Sequence, residues 1–147
     1  MGDKQFQTSV HLAAPPERVW AATIDIERWP EWTPTVTRAR RLDSGPLRVG
    51  SRVLLHQPKL PPAIWVVGAL EPGRAMILKS GLPGMRVISH HRLEPGGEGC
   101  AVTLSVHFEG WFGGLLERWT GDLNHRYLAL EADGLKRHCE NRGAVDP

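Results

Sequence analysis

The sequence predicts an α+β fold in two layers, a curved antiparallel sheet of about seven strands covered by one long C-terminal helix. Three observations lead there. The run from Trp111 to about Arg142 holds no proline and repeats Leu116, Trp119, Leu123, Tyr127 and Leu130 at the period of one helical face. Six apolar runs, 36–43, 51–57, 63–71, 74–80, 85–94 and 99–109, are separated by proline- and glycine-built punctuation: SGP, QPKLPP, EPG, SGLPG and EPGGEG. Connections this short make sequential strands antiparallel neighbours, and one sheet with one inner face needs a covering layer.

Taken in order, residues 5–13 alternate, with Phe6, Thr8, Val10 and Leu12 on one face, as in a half-buried strand. Ala14-Pro15-Pro16-Glu17 starts a helix, because proline is tolerated in the first turn and an early acid suits the helix dipole. Asp25 caps a second short helix over 25–29, and Pro30 and Pro34 end it. The six strands follow, then the long helix. At ~1.5 Å per residue, roughly 30 residues span about 45 Å, so this helix must cross most of the domain. Its charged residues Arg118, Asp122, Glu131, Lys136 and Arg137 fall mostly off the apolar stripe.

Hairpin geometry fixes which side chains point inward. A four-residue loop at Pro95–Glu98 pairs Glu94 with Gly99, placing Met85, Val87, Ser89, His91 and Leu93 on the inner face with Cys100, Val102, Leu104, Val106 and Phe108. Pairing Glu71 with Arg74 sets Met76, Leu78 and Ser80 beside Ala69, Val67 and Trp65. Both walls mix aliphatic, aromatic and polar residues. A slip of one residue would reverse every assignment.

Composition narrows the function. The 147 residues suit one domain, 1–147, with a real core, and an apolar fraction of 41% is ordinary for a globular chain. A formal charge of +2 gives no drive toward nucleic acid, and RARR at 38–41 reads as a solvated strand face. No apolar leader and no long apolar run occur, so the expected location is cytoplasmic, without stable membrane insertion. Cys100 and Cys139 suit buried thiols, and no spacing suits a metal, so neither metal nor cofactor is expected. Six tryptophans are many for this length, and tryptophan serves equally to fill a core or to line a cavity.

The element order, with AAPPERVW at 13–20, DIERWPEWTP at 25–34, LRVGSRV at 47–53, IWVVGALEPGRAMIL at 64–78 and the closing LERWTGDLNHRYLALEADGLKRHCE, resembles the START-like (helix-grip) superfamily, in its bacterial polyketide cyclase/dehydrase-like (SRPBCC) branch. The resemblance runs from about Thr8 to Glu140. It implies a helix-grip fold with an apolar ligand between sheet and helix, and it implies no single reaction.

His91, the inward imidazole, is the first site candidate, as a general acid or base or as an anchor for a ligand oxygen. Tyr127 on the helix is its candidate partner. Gln57, Trp65, Val67, Met76, Leu78, Val87, Ser89, Trp119 and Leu123 are further ligand-lining candidates, with Trp29 and Trp32 at the lip. Arg126 and Asn124 read as solvated. The segment 57–63 reads equally as a lid or as a plain long turn. Three functions stay open: a module binding an aromatic, polyketide-like or lipidic molecule; a metal-free cyclase or dehydratase using His91 with Tyr127 or Ser89; and a regulatory protein-interaction module. A homodimer is also left open.

Overall fold

A computed structural model describes residues 5–145, apart from the side chains of residues 5, 82, 113–117, 119 and 141–145. The strands are β1 (Gln5–Leu12), β2 (Arg38–Arg41), β3 (Arg52–His56), β4 (Ala63–Glu71), β5 (Ala75–Leu82), β6 (Met85–Gly96) and β7 (Gly99–Glu109). Helix α1 (Pro16–Ile24) and a 3-10 helix (Ile26–Glu31) follow β1, and α2 (Gly113–Val145) closes the chain. All seven strands form one antiparallel sheet in the order β1-β7-β6-β5-β4-β3-β2. This is the expected helix-grip arrangement. Among the described residues, no helix is long and apolar enough to cross a membrane.

The expected facing holds along β5, β6 and β7 but not at Ala69, which pairs with Ile77 while Leu70 takes its expected place opposite Met76. Gly96, not Glu94, lies opposite Gly99, so the β6–β7 turn has two residues and Gly97 takes φ 62°. That shift is even, so every inward side chain stays inward, and His91 faces Leu104 rather than Val102. At the β4–β5 hairpin Glu71 pairs with Ala75, and a bulge between Val67 and Ala69 restores the expected pairing of Val67 with Leu78. Asp25 precedes the 3-10 helix without a capping side-chain bond, which corrects the expected cap.

Two buried clusters hold the layers together. The first joins Phe6, Leu12, Val19, Leu93, Val102, Leu128, Leu135 and Cys139, between β1, β6, β7 and both α-helices. The second gathers Ile26, Trp29, Val36, Val53, Leu55, Val67, Met76 and Leu78 around the 3-10 helix and β3–β5. Helix α2 packs chiefly on β1 and β7. Gly134 permits its approach to the 3-10 segment, since a Cβ there would lie 2.0 Å from the carbonyl oxygen of Trp32.

The inward face of α2 is turned from the expected one. Thr120, Asn124, Tyr127, Leu128 and Glu131 face the sheet, continued by Leu128, Ala132, Leu135 and Cys139 in the first cluster. This stripe sits about one residue, roughly 100°, around the helix from the Leu116–Leu123–Leu130 line. Leu123 and Leu130 are half-buried. Apolar pattern pointed to the wrong face because several inward positions are polar.

Candidate ligand cavity

Between α2 and strands β3–β7 the packing stops short, leaving a cavity of about 500 Å³. That lies within the ~300–1,000 Å³ usual for small-molecule sites. Trp29, Val36 and Leu55 form one wall, and Trp65, Leu78, Val87, Val106 and Phe108 form the sheet side. Leu60, Pro61 and Pro62 of the β3–β4 loop add an apolar rim. The 57–63 segment therefore borders the cavity, and the phenol of Tyr127 donates to the carbonyl oxygen of Pro58, tying this loop to α2.

Of the candidates, Trp29, Gln57, Trp65, Leu78, Val87, Ser89, His91 and Tyr127 share this one cavity. Val67 and Met76 do not line it. Both are fully packed in the second cluster, 1% and 0% exposed. Leu123 also lies off the cavity, because α2 is rotated as described. Trp29 is not at a lip: it is buried, and its Nε1 donates to the carbonyl of Thr23 at 3.2 Å. Trp32 turns away, stacks on His138 and borders a separate shallow pocket with Arg18 and Arg28. The Trp119 side chain lies outside the described residues.

His91 is buried between Trp29, whose ring centre lies 5.4 Å away, and its strand neighbours Met76 and Leu104. Burial, helped by the nearby His90, pushes the imidazole down to about 4, so it is neutral at pH 7. Its Nδ1 is buried without a hydrogen-bond partner. Neutral and buried, His91 is a poor acid or base at neutral pH. Tyr127, its proposed partner, spends its own proton on Pro58.

Glu131 is the cavity residue that sequence reasoning missed. It stands one turn beyond Tyr127 on α2, and its Oε2 accepts a 3.0 Å hydrogen bond from Thr35 Oγ1, itself 2.9 Å from Thr33 Oγ1. Burial pushes its carboxyl up to about 7, against the opposing pull of the Thr35 bond. The sequence carried no signal for it, because the apolar stripe it suggested put Glu131 on the outer side of α2. Asn124, expected in solvent, also lines the cavity and donates to Thr120 Oγ1 at 3.0 Å, whereas Arg126 is exposed as expected. Among the described residues no three His, Cys, Asp or Glu side chains cluster as metal ligands would.

A family model described as polyketide cyclase/dehydrase and lipid transport matches residues 3–140. No curated protein matches the sequence significantly. Solved structures match in fold over nearly the whole chain. The Zhui aromatase/cyclase from Streptomyces sp. R1128 superposes with TM-score 0.79 at 16% identity, covering 98% of each chain. A point mutant of the Thalictrum norcoclaurine synthase gives 0.75 at 12% identity, covering 97% of each. A START superfamily protein from Mycobacterium smegmatis gives 0.73 at 16%, covering 95% of this chain and 99% of that one.

Proposed function

This chain belongs to the polyketide cyclase/dehydrase and lipid-transport family, and on that premise we propose that it binds a hydrophobic small molecule in the cavity between sheet and α2. One observation carries the reading. The cavity is large, its walls are mostly aliphatic and aromatic, and most of its polar side chains (Ser80, Thr120, Asn124, Tyr127 and Glu131) are already engaged within the protein. Such a site holds and orients a ligand by shape, with one or two polar anchors. His91, a neutral imidazole whose buried Nδ1 has no partner, supplies one anchor. The open cavity argues against the interaction-module alternative, which requires a collapsed one.

Turnover of the cyclase or dehydratase type is a second reading, favoured by a single feature. A carboxyl near neutrality, that of Glu131, is suited to general acid–base work. In that reading Glu131 replaces the expected His91–Tyr127 pair.

Native mass spectrometry of protein purified from its own host tests the binding reading. The expected result is a retained organic molecule that is released on unfolding. Ligand-free protein that also fails to take up neutral apolar probes would overturn it.

A further inference from the structure

The cavity is asymmetric in charge. Among its lining residues the ionisable side chains are His91, Tyr127 and Glu131, and no Lys or Arg lines it. A ligand carboxylate, sulfate or phosphate inside would meet no positive partner, because His91 is neutral. It would instead share a low-dielectric space with a carboxyl group, where like charges are strongly penalised. A ligand ammonium would meet the opposite situation. Glu131 lines the cavity and is fixed in place by Thr35, which donates to Oε2 and so favours the ionised carboxylate. Trp29, Trp65 and Tyr127 line the same walls.

We propose that Glu131 sets the charge specificity of the cavity, which takes an apolar or aromatic molecule bearing a protonated amine and rejects the corresponding carboxylate. This deepens, and rests on, the cavity-binding reading above. The complementarity is physical: an ammonium placed against the carboxylate offsets part of the cost of keeping that charge away from water, which a second anion cannot do. A neutral ligand would leave the carboxyl to pick up a proton.

Three probes sharing one ring system test this: naphthylethylamine, naphthylethanol and naphthylacetate, titrated calorimetrically into the wild-type chain and the Glu131→Gln variant. At about pH 8 the amine is protonated and the acetate ionised. The amine is expected to bind the wild type at least about tenfold tighter than the acetate, a difference equal to one modest buried charge pair. In Glu131→Gln that ratio should fall close to unity. The ratio is internal to each protein, so a partial loss of folded variant does not affect it. Acetate binding equal to or tighter than amine binding in the wild type would overturn the inference. An unchanged ratio in Glu131→Gln would do the same. Tight binding of naphthylethanol with no preference for the amine would sink the charge assignment while leaving the cavity reading in place. Failure of all three probes to bind would remove the cavity reading and this inference together.

Discussion

The two ends of the space beneath α2 are built from the same sheet face and the same helix, yet one is filled and the other open. At the filled end Leu128, Ala132, Leu135 and Cys139 interdigitate with Leu12, Leu93, Val102 and α1, and these side chains are 6% exposed or less. At the open end the facing helix positions are Thr120, Asn124, Tyr127 and Glu131. Polar or hydrogen-bonded side chains there cannot knit into the sheet as leucines do, so the layers stay apart. A cavity therefore arises where both layers turn partly polar, since Ser80, Ser89 and His91 of the sheet lie on the same space as these helix residues.

Truncation at the two ends should separate them most clearly. Leu135→Ala, at the filled end, is expected to destabilise by about 2–5 kcal/mol in urea unfolding. Val87→Ala, on the cavity wall, should cost about 1 kcal/mol or less, because its side chain already borders empty space. Its effect should instead be on ligand affinity. Equal losses at both sites would mean that the open end is packed in solution.

The next largest effect is in pH dependence, where the buried His91 and the half-buried Glu131 oppose each other. His91 is lowered from 6.5 to about 4, so its contribution is intact above pH 6.5 and lost as pH falls toward 4. Glu131 is raised from 4.5 to about 7, so stability is highest with respect to it below pH 4.5 and declines as pH rises through 7. Between these limits the two slopes largely cancel in the wild type. Glu131→Gln should unmask stability that rises with pH, and His91→Gln stability that falls. Each difference profile should amount to about 1–3 kcal/mol across the window in thermal or urea unfolding. Parallel profiles for variant and wild type would show that the group in question is solvated.

Smallest is the tie between α2 and the cavity rim. Tyr127→Phe removes one hydrogen bond to Pro58 and should cost about 0.5–1.5 kcal/mol. Amide exchange should rise over 57–63 and stay unchanged at the filled end. Faster exchange throughout the chain would mean that the tie supports the whole fold instead of the loop.

Much of this molecule was legible without coordinates. Proline and glycine punctuation and period-two alternation placed all seven strands, because turn chemistry and pleat are local. The facing of β5, β6 and β7 was also readable, since an even register shift leaves facing intact and an odd one would expose Leu93 and Val102. That reading placed Leu78, Val87, Ser89 and His91 on one wall. The face of α2 was not readable in the same way. Leu116, Leu123 and Leu130 and the line Leu128–Leu135–Cys139 are both credible apolar stripes, and only docking on β1 and β7 chose the second. Depth along each strand was equally hidden. Val67 and Met76 share the inner face with Leu78, but the 3-10 helix covers them and leaves Leu78 open to the cavity. So the sequence alone determined the elements, their order and the inward residues, which follow from short-range sterics and hydrophobic period. The rotation of α2, the empty volume and the placement of Glu131 beside Thr35 were decided by tertiary packing, because they depend on contacts between residues nearly a hundred positions apart.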